Sequence, residues 1–182
     1  MRSRRAILGY FTKRYLGALF RSSSGWPILY CRCMQISLAH IGARPSSKDP
    51  FDGLASMYLE RCAAHARCQA ESFRSEDALF ESIDRQQRRA PAIIVLLDSR
   101  GRQMTSENFA EWLGRQRDNG AQQIVFAIGP PNGWSESSRK RATLLLSLGP
   151  LTLAHALARV VLAEQLYRAF TILTGHPYHS GH

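Results

Sequence analysis

Three glycine-containing stretches follow apolar runs in this 182-residue chain and have the residue types of a ligand-binding site. They are LLDSRG at 96–101, AIGPPNG at 127–133 and SLGPLTL at 147–153. Ligands of open α/β sheets bind at the carboxyl ends of strands, so these three loops form the predicted site. Gly129, Gly133 and Gly149 let the backbone approach a ligand closely, and the loop amides and carbonyls can hydrogen-bond a flat purine. The alternative is that these glycines serve only as turn residues.

The spacing of glycines and cysteines excludes several other kinds of site. The glycine spacings fit no phosphate loop, Rossmann fingerprint or nucleophile elbow, which weighs against the common nucleotide-binding and hydrolase classes. The four cysteines lack the paired C-x-x-C spacing of a zinc site, and we interpret them as reduced thiols. No metal is predicted.

A histidine and an arginine stand one turn apart near the start of the last predicted helix. On a helical wheel, His155 and Arg159 share the face of Leu166 and Phe170, which predicts that both are buried. A buried cation is costly unless a negative group meets it. One interpretation supplies an RNA phosphate or a ligand carboxylate. The other makes His155 a capping residue and pairs Arg159 with an acid of a partner chain, and the residues alone leave both open.

The C-terminal segment carries a second group of residues suited to nucleic-acid recognition. His176, Tyr178 and His179 stand beside Pro177 in this segment. An aromatic ring between two histidines can stack on a base while the histidines donate hydrogen bonds. The alternative is that these side chains are simply solvated, as terminal histidines often are.

The periodicity of apolar residues predicts the elements that position these groups. From Met34 the pattern alternates between strand and helix, which is typical of an α/β fold. The runs IIVLL and QIVFAI are continuously apolar, as expected of strands buried on both faces of a parallel sheet. Strand segments are predicted at 35–41, 68–73, 92–103, 123–134 and 143–153, and helices at 51–66, 75–88, 105–120 and 135–142, before the final helix.

The final helix is apolar over most of its circumference. Val160 and Val161 lie away from the main apolar face, and only a narrow strip that includes Glu164 and Arg168 is polar. Such a helix must be covered on more than one side, so we expect it to pack on its own sheet and against a second subunit. The sequence therefore predicts a dimer.

The net charge of +10 is concentrated near the N-terminus. Residues 1–33 hold seven Lys and Arg and no acid, which leaves +3 for the rest of the chain, a balance compatible with RNA contact. No apolar run there reaches membrane-spanning length. The stretch 1–33 has the composition of an organellar transit peptide; the alternative, which we favour, is that translation begins at Met34. Either way we expect 1–33 to be disordered or untranslated, with one domain at 34–182.

Several stretches of the chain resemble the RlmH family of SPOUT methyltransferases. They are LLDSRGRQMTSENFAEWL, VFAIGPPNG, LSLGPLTLAHALARVVLAEQLYRAF and HPYH, and MQISLAHIG is similar to the usual opening of that family. The resemblance spans 34–182 and implies a SPOUT-type, mostly parallel sheet flanked by helices, with a C-terminal trefoil knot, in a cytoplasmic homodimer. The implied activity is S-adenosylmethionine-dependent methylation of N3 of a pseudouridine in 23S ribosomal RNA, within the assembled ribosome.

The resemblance also assigns roles to individual residues. Near the methyl-transfer pocket it places His155, Arg159, Tyr178 and His179, with the tail presented toward the cofactor of the partner subunit. By type, His155 and His179 are candidate proton acceptors, while Arg159 would position a phosphate and Tyr178 would pack on the target base. The positions that match the family's S-adenosylmethionine contacts are Leu97, Gly129, Leu148, Gly149, Pro150, Leu151, Thr152 and Leu153.

The chain departs from the family pattern at three positions. Pro130 stands where relatives usually have a second glycine, Ala154 where they commonly have proline, and Ser180 where a basic residue follows HPYH. Pro130 removes a backbone N–H from the loop, and with it any ligand contact which that group makes. Two alternatives therefore stay open: a non-catalytic knotted ribosome-binding factor, and a SPOUT methyltransferase with a different RNA or a small-molecule substrate.

Overall fold

The computed structural model describes residues 34–44, 49–86 and 90–179, and of His179 it describes the backbone alone. The predicted extension 1–33 and Ser180 lie outside the described residues. Strands and helices alternate as predicted, which confirms the α/β class. The strands are β1 Gln35–Ile41, β2 Arg67–Phe73, β3 Ile93–Gln103, β4 Gln123–Ile128 and β5 Leu144–Ser147. The helices are α1 Pro50–Cys62, α2 Glu76–Gln86, α3 Ser106–Asp118, α4 Glu136–Arg141 and α5 His155–Leu173, followed by a 3-10 turn at Pro177–His179.

The strands form a parallel sheet in the order β2-β1-β4-β3-β5. In this sheet His40 of β1 pairs with Ser72 of β2 on one side and with Ile128 of β4 on the other. Ile128 pairs in turn with Leu97 of β3, which pairs with Leu146 of β5. The carboxyl ends of the strands therefore lie in one row at one edge of the sheet.

Polar side chains accept hydrogen bonds at the starts of α1, α2 and α3. The Asp49 side chain accepts a hydrogen bond of 3.0 Å from the amide of Phe51 at the start of α1. Thr105 caps α3, and Ser75 accepts a bond from the amide of Ala78 in the first turn of α2. These bonds satisfy amides that the helix itself leaves without partners.

The last strand is shorter than its predicted segment. β5 ends at Ser147, and 148–154 form a loop instead of continuing the strand to 153. Pro150 has no N–H to donate to a ladder, and Gly149 has a φ of +129°, outside the β region. The SLGPLTL stretch is therefore a loop that leads into α5.

Helices cover both faces of the sheet. On one face α1, α3 and α5 enclose the larger core, in which Phe126, Leu113 and Leu162 are fully buried. On the other face α2 and the segment 134–142 pack on a smaller core. Helix α5 buries one side on its own sheet, as predicted, but its outward side keeps Leu157 38% exposed. In the part of the chain that the structure describes, no helix is both long and apolar enough to cross a membrane.

An irregularity in the parallel pairing of β3 with β5 shapes the carboxyl edge of the sheet. Leu146 pairs with Leu97 and again with Arg102, so the chain between these two residues leaves the ladder and then returns to it. Within this excursion the backbone of Gly101 lies directly against β5: a Cβ there would stand 2.6 Å from the carbonyl carbon of Leu145. Such a close approach of two backbones requires glycine.

Candidate functional site

Trp134, which is not among the predicted site residues, contacts two of the predicted cofactor-binding residues. Leu97 is the last residue of β3 that pairs with the adjacent strand β4, and Gly129 directly follows β4. The indole Nε1–H of Trp134 donates a hydrogen bond of 2.9 Å to the carbonyl of Leu97. The same indole covers Gly129, where a Cβ would stand 2.8 Å from its ring atoms. Trp134 thus fixes the position of Leu97 relative to Gly129.

His155 contacts this group through the carbonyl of Gly129. Its Nε2 lies 3.0 Å from that oxygen. A carbonyl only accepts hydrogen bonds, so Nε2 carries a proton and Nδ1 is the nitrogen with a free lone pair in the neutral ring. His155 begins α5, and this bond therefore ties the start of the last helix to the loop after β4.

A second histidine, also absent from the predicted site, packs edge-on against His155. The ring centroids of His40 and His155 are 5.5 Å apart, with an interplanar angle of 67°. His40 Nε2 lies 3.1 Å from the carbonyl of Ala43, which fixes its tautomer in the same way. Burial lowers the pKa of His40, so this ring is neutral at physiological pH.

Arg159 is buried, as predicted, and its charge is met within the same chain. Its guanidinium nitrogens lie 3.1 Å from Asp52 and 3.4 Å from Asp49. Both acids lie at the start of α1, so the pairing joins the first turns of α1 and α5. The interpretation that an acid of a partner chain pairs with Arg159 is therefore wrong, because both acids belong to the same chain. The sequence signal for this pairing lies in Asp49 and Asp52, which are not among the predicted site residues.

A cavity of about 320 Å³ opens between the start of α3, the end of β5 and the middle of α5. Leu148 and Gly149, two predicted cofactor contacts, line it. The hydroxyl of Ser147 donates to the carbonyl of Gly149 at 3.1 Å and lies 3.2 Å from its amide, and these contacts hold the loop in its turn. Ser106 of α3 donates to Gln165 of α5 at 2.8 Å across the cavity.

The remaining predicted cofactor contacts lie along the loop beyond this cavity. Pro150 and Thr152 are exposed, and Leu151 is 80% exposed, while Leu153 is half-buried against the larger core. The structure thus places all eight predicted contacts at the carboxyl edge of the sheet, although only two of them line the cavity.

A buried carboxylate holds β3 in place next to Leu97. Asp98, which directly follows Leu97, accepts a hydrogen bond of 2.7 Å from Arg139 of α4 and one of 2.9 Å from the amide of Arg100. Burial alone would raise the pKa of Asp98, but these bonds and the charge of Arg139 outweigh it and lower the pKa. The carboxylate is therefore ionised and anchors β3 to α4.

The C-terminal tail packs near the other end of α5. The Tyr178 hydroxyl lies 3.3 Å from Glu164, and its ring contacts Tyr167 at 4.8 Å and the Arg168 guanidinium at 5.2 Å. Glu164 and Arg168, on the polar strip of α5, form an i,i+4 ion pair at 2.7 Å. Burial, with Tyr58 and Glu164 nearby, raises the pKa of Tyr178 to about 12, so the phenol keeps its proton.

Within one chain, the predicted catalytic residues fall into two groups. His155 and Arg159 lie at the start of α5, whereas Tyr178 contacts Glu164, about 14 Å further along the helix axis. The side chain of His179 lies outside the described residues. The described residues also contain no group of three or more His, Cys, Asp or Glu placed to hold a metal ion.

The chain matches the protein family described as "Predicted SPOUT methyltransferase" over residues 34–179. It is 47% identical over 149 residues to a ribosomal RNA large subunit methyltransferase H from Koribacter versatilis, which covers 82% of this chain and 100% of that protein. The protein of the same name from Brucella anthropi is 48% identical over 112 residues, 60% of this chain and 67% of its own length. Among solved structures, a probable methylase family protein from Haemophilus influenzae aligns with a TM-score of 0.49 and 13% identity, over 80% of this chain and 69% of the other.

Proposed function

This chain belongs to the SPOUT methyltransferase family, and we propose that it transfers methyl groups from S-adenosylmethionine to ribosomal RNA of the large subunit. The observation that carries the proposal is the 47% identity over the whole length of a ribosomal RNA large subunit methyltransferase H. In its finer form the proposal follows the motif resemblance. The target is then N3 of a pseudouridine in 23S ribosomal RNA, methylated on the assembled ribosome in the cytoplasm.

The residues at the carboxyl edge of the sheet fit S-adenosylmethionine as the methyl donor. The cavity beside Leu148 and Gly149 has a volume of about 320 Å³, at the lower end of the range for small-molecule sites. No atom lies within 4 Å of the position a Cβ would take at Gly149, so the backbone there is open to a ligand. When bound, this cofactor supplies a methyl group on a positively charged sulfur. The eight predicted contacts, from Leu97 to Leu153 in chain order, would hold it.

The part played by the protein in such a transfer is largely alignment of donor and acceptor. His155, bonded to the carbonyl of Gly129, positions the loop after β4 against the start of α5. Arg159, already neutralised by Asp49 and Asp52, holds α1 and α5 together and is not free to bind a phosphate. For the proton on N3, His155 retains only Nδ1 as an acceptor, which leaves the side chain of His179 or water as the other candidates.

A second copy of the chain would complete this site. Tyr178 and the start of α5 stand too far apart to act on one base within a single protomer, so the tail would serve the cofactor pocket of a partner. The outward side of α5 exposes Leu157, and the first turns of α1 expose Phe51 and Leu54. These apolar side chains support a homodimer that covers them.

The threading of the C-terminal segment through a trefoil knot is the remaining part of the proposal. Pairing of Leu146 with both Leu97 and Arg102, and the backbone contact at Gly101 between them, support it. Threading of this kind is rare in proteins.

The proposal is tested in a strain that lacks the gene. We expect the large-subunit RNA of that strain to lose one primer-extension stop, which complementation with the wild-type chain restores. Titration of the purified chain with S-adenosylmethionine separates the enzyme from a non-catalytic ribosome-binding factor that kept RNA contact after Pro130 altered the loop. Loss of a stop in another RNA instead would assign a different substrate.

A further inference from the structure

We propose that four arginines at the carboxyl edge of the sheet, Arg44, Arg74, Arg100 and Arg102, form a surface that binds the phosphates of the RNA substrate. We call this surface the arginine rim. The inference rests on the proposed function, since it assigns the substrate-binding surface of that same site. All four residues are exposed.

The topology brings these arginines to one edge although they are far apart in the sequence. Arg74 directly follows β2, and Arg44 lies three residues beyond β1. These two strand ends are neighbours, because the amide of Gly42 donates to the carbonyl of Phe73 at 2.9 Å.

The other two arginines lie across the sheet from this pair. Arg100 and Arg102 belong to the part of β3 beyond Leu97, where the strand leaves its pairing with β5 and then returns to it. With strands about 4.8 Å apart, the three spacings from β2 to β3 give the rim a width of roughly 14 Å. Gly129 follows β4, the strand that lies between β1 and β3, so a nucleotide that reaches this end of β4 has basic side chains on both flanks.

Three of the four arginines of the rim are available to an external anion. Among the described residues, no carboxylate lies within ion-pair distance of Arg44, Arg74 or Arg102. Arg100 approaches Asp98 only at 3.6 Å, and that carboxylate already holds Arg139 at 2.7 Å. Asp49 and Asp52, the acids at the start of α1, pair with Arg159.

Most arginines elsewhere on the described surface have partners in the chain. Arg115, Arg117, Arg141 and Arg168 each pair with an acid, and Arg61 lies over two tyrosine rings. Arg67 is the useful exception: it is exposed and has no ion pair, but it begins β2 at the opposite edge of the sheet. Arg67 and Arg74 are thus a matched pair at the two ends of one strand.

The chemistry of arginine fits this use. A guanidinium binds a phosphate through two parallel hydrogen bonds and keeps its charge at any physiological pH. Such contacts fix the position of an RNA without reading its sequence, and base-specific contact is then left to the residues inside the site. A rim of this kind would steer the RNA so that one base faces the methyl donor.

The test compares Arg74→Ala and Arg44→Ala with Arg67→Ala as the control. Binding of the full chain to purified large ribosomal subunits is measured by sedimentation between 50 and 200 mM salt. Each lost phosphate contact should make the salt-induced loss of affinity over this range smaller by roughly threefold. We expect this change for Arg74→Ala and Arg44→Ala, weaker binding at low salt, and wild-type behaviour for Arg67→Ala. Arg102→Lys, which keeps the charge, should retain the wild-type salt dependence.

Affinity for S-adenosylmethionine, measured by calorimetry on the same variants, separates this inference from the proposed function. We expect it to be unchanged in all of them. If Arg74→Ala and Arg44→Ala bind ribosomal subunits with the affinity and salt dependence of Arg67→Ala, the rim is not the RNA surface, whatever the catalytic activity. If the wild-type chain binds subunits through the rim but neither binds the cofactor nor methylates RNA, the rim stands and the proposed function fails.

Discussion

Replacement of Gly101 by alanine tests the close approach of the β3 backbone to β5. A Cβ at this position would stand 2.6 Å from the carbonyl carbon of Leu145 and 2.7 Å from its oxygen, whereas ordinary contacts begin at 3.4 Å. Both partners are backbone of a packed sheet, so a strand must move by close to an ångström. Overpacking of this kind costs about 1–3 kcal/mol. We place Gly101→Ala at the upper end, about 3 kcal/mol, because the shift also strains the pairing of Arg102 with Leu146.

The assay is thermal unfolding, with Gly53→Ala as the matched control. For a chain of this size, 1 kcal/mol changes Tm by roughly 2–4 °C, so Gly101→Ala should lower Tm by roughly 6–12 °C. Gly53 lies in α1 with no atom within 4 Å of its Cβ position. Alanine there should stabilise the helix by about 0.5–1 kcal/mol and raise Tm slightly. Melting of Gly101→Ala at the wild-type temperature would refute the close backbone contact on which the threading argument depends.

Three further substitutions test other contacts of the site. Trp134→Phe removes the bond to the carbonyl of Leu97 and should cost about 1–3 kcal/mol in urea unfolding, with weaker cofactor binding; unchanged values in both would argue against its positioning role. Gly149→Trp should abolish S-adenosylmethionine affinity in calorimetry, because the loop needs a φ of +129° and open space; retained affinity would remove this loop from the site. The pKa of Asp98 is lowered in the fold, so its ionised form stabilises the protein above about pH 4, and this contribution is lost as pH falls through the folded pKa. The Tm difference between wild type and Asp98→Asn should therefore shrink below about pH 4, and a constant difference from pH 6 to pH 2.5 would contradict the assignment.

The elements of the fold follow from local signals in the sequence. Continuous apolar runs mark β3 and β4, and capping residues such as Thr105 mark the helix starts. The location of the site also follows, because the carboxyl ends of parallel strands meet at one edge. The end of β5 is harder to predict, since LTL after Gly149-Pro150 has the composition of a strand but lies in a loop.

The contacts that shape the site depend on residues far apart in the chain. Arg159 reaches Asp52 across 107 positions, and Trp134 reaches the carbonyl of Leu97 across 37. Helical periodicity predicts that Arg159 is buried, but it carries no information about which acid meets it. The indole N–H of a buried tryptophan needs a hydrogen-bond acceptor, but the sequence does not show which backbone carbonyl accepts the bond. Likewise, the need for glycine at position 101 comes from its contact with β5, which is distant in the sequence and known only from the fold.

Methyl transfer to ribosomal RNA is the central claim and can be measured directly. Purified chain is incubated with S-adenosylmethionine carrying a labelled methyl group and with ribosomes from the deletion strain, and the RNA is digested to nucleosides for mass spectrometry. We predict label in N3-methylpseudouridine of the large-subunit RNA, and none when Gly149→Trp replaces the wild-type chain. Absence of label from the RNA, with ribosomes that a known homologous enzyme methylates under the same conditions, would contradict the account.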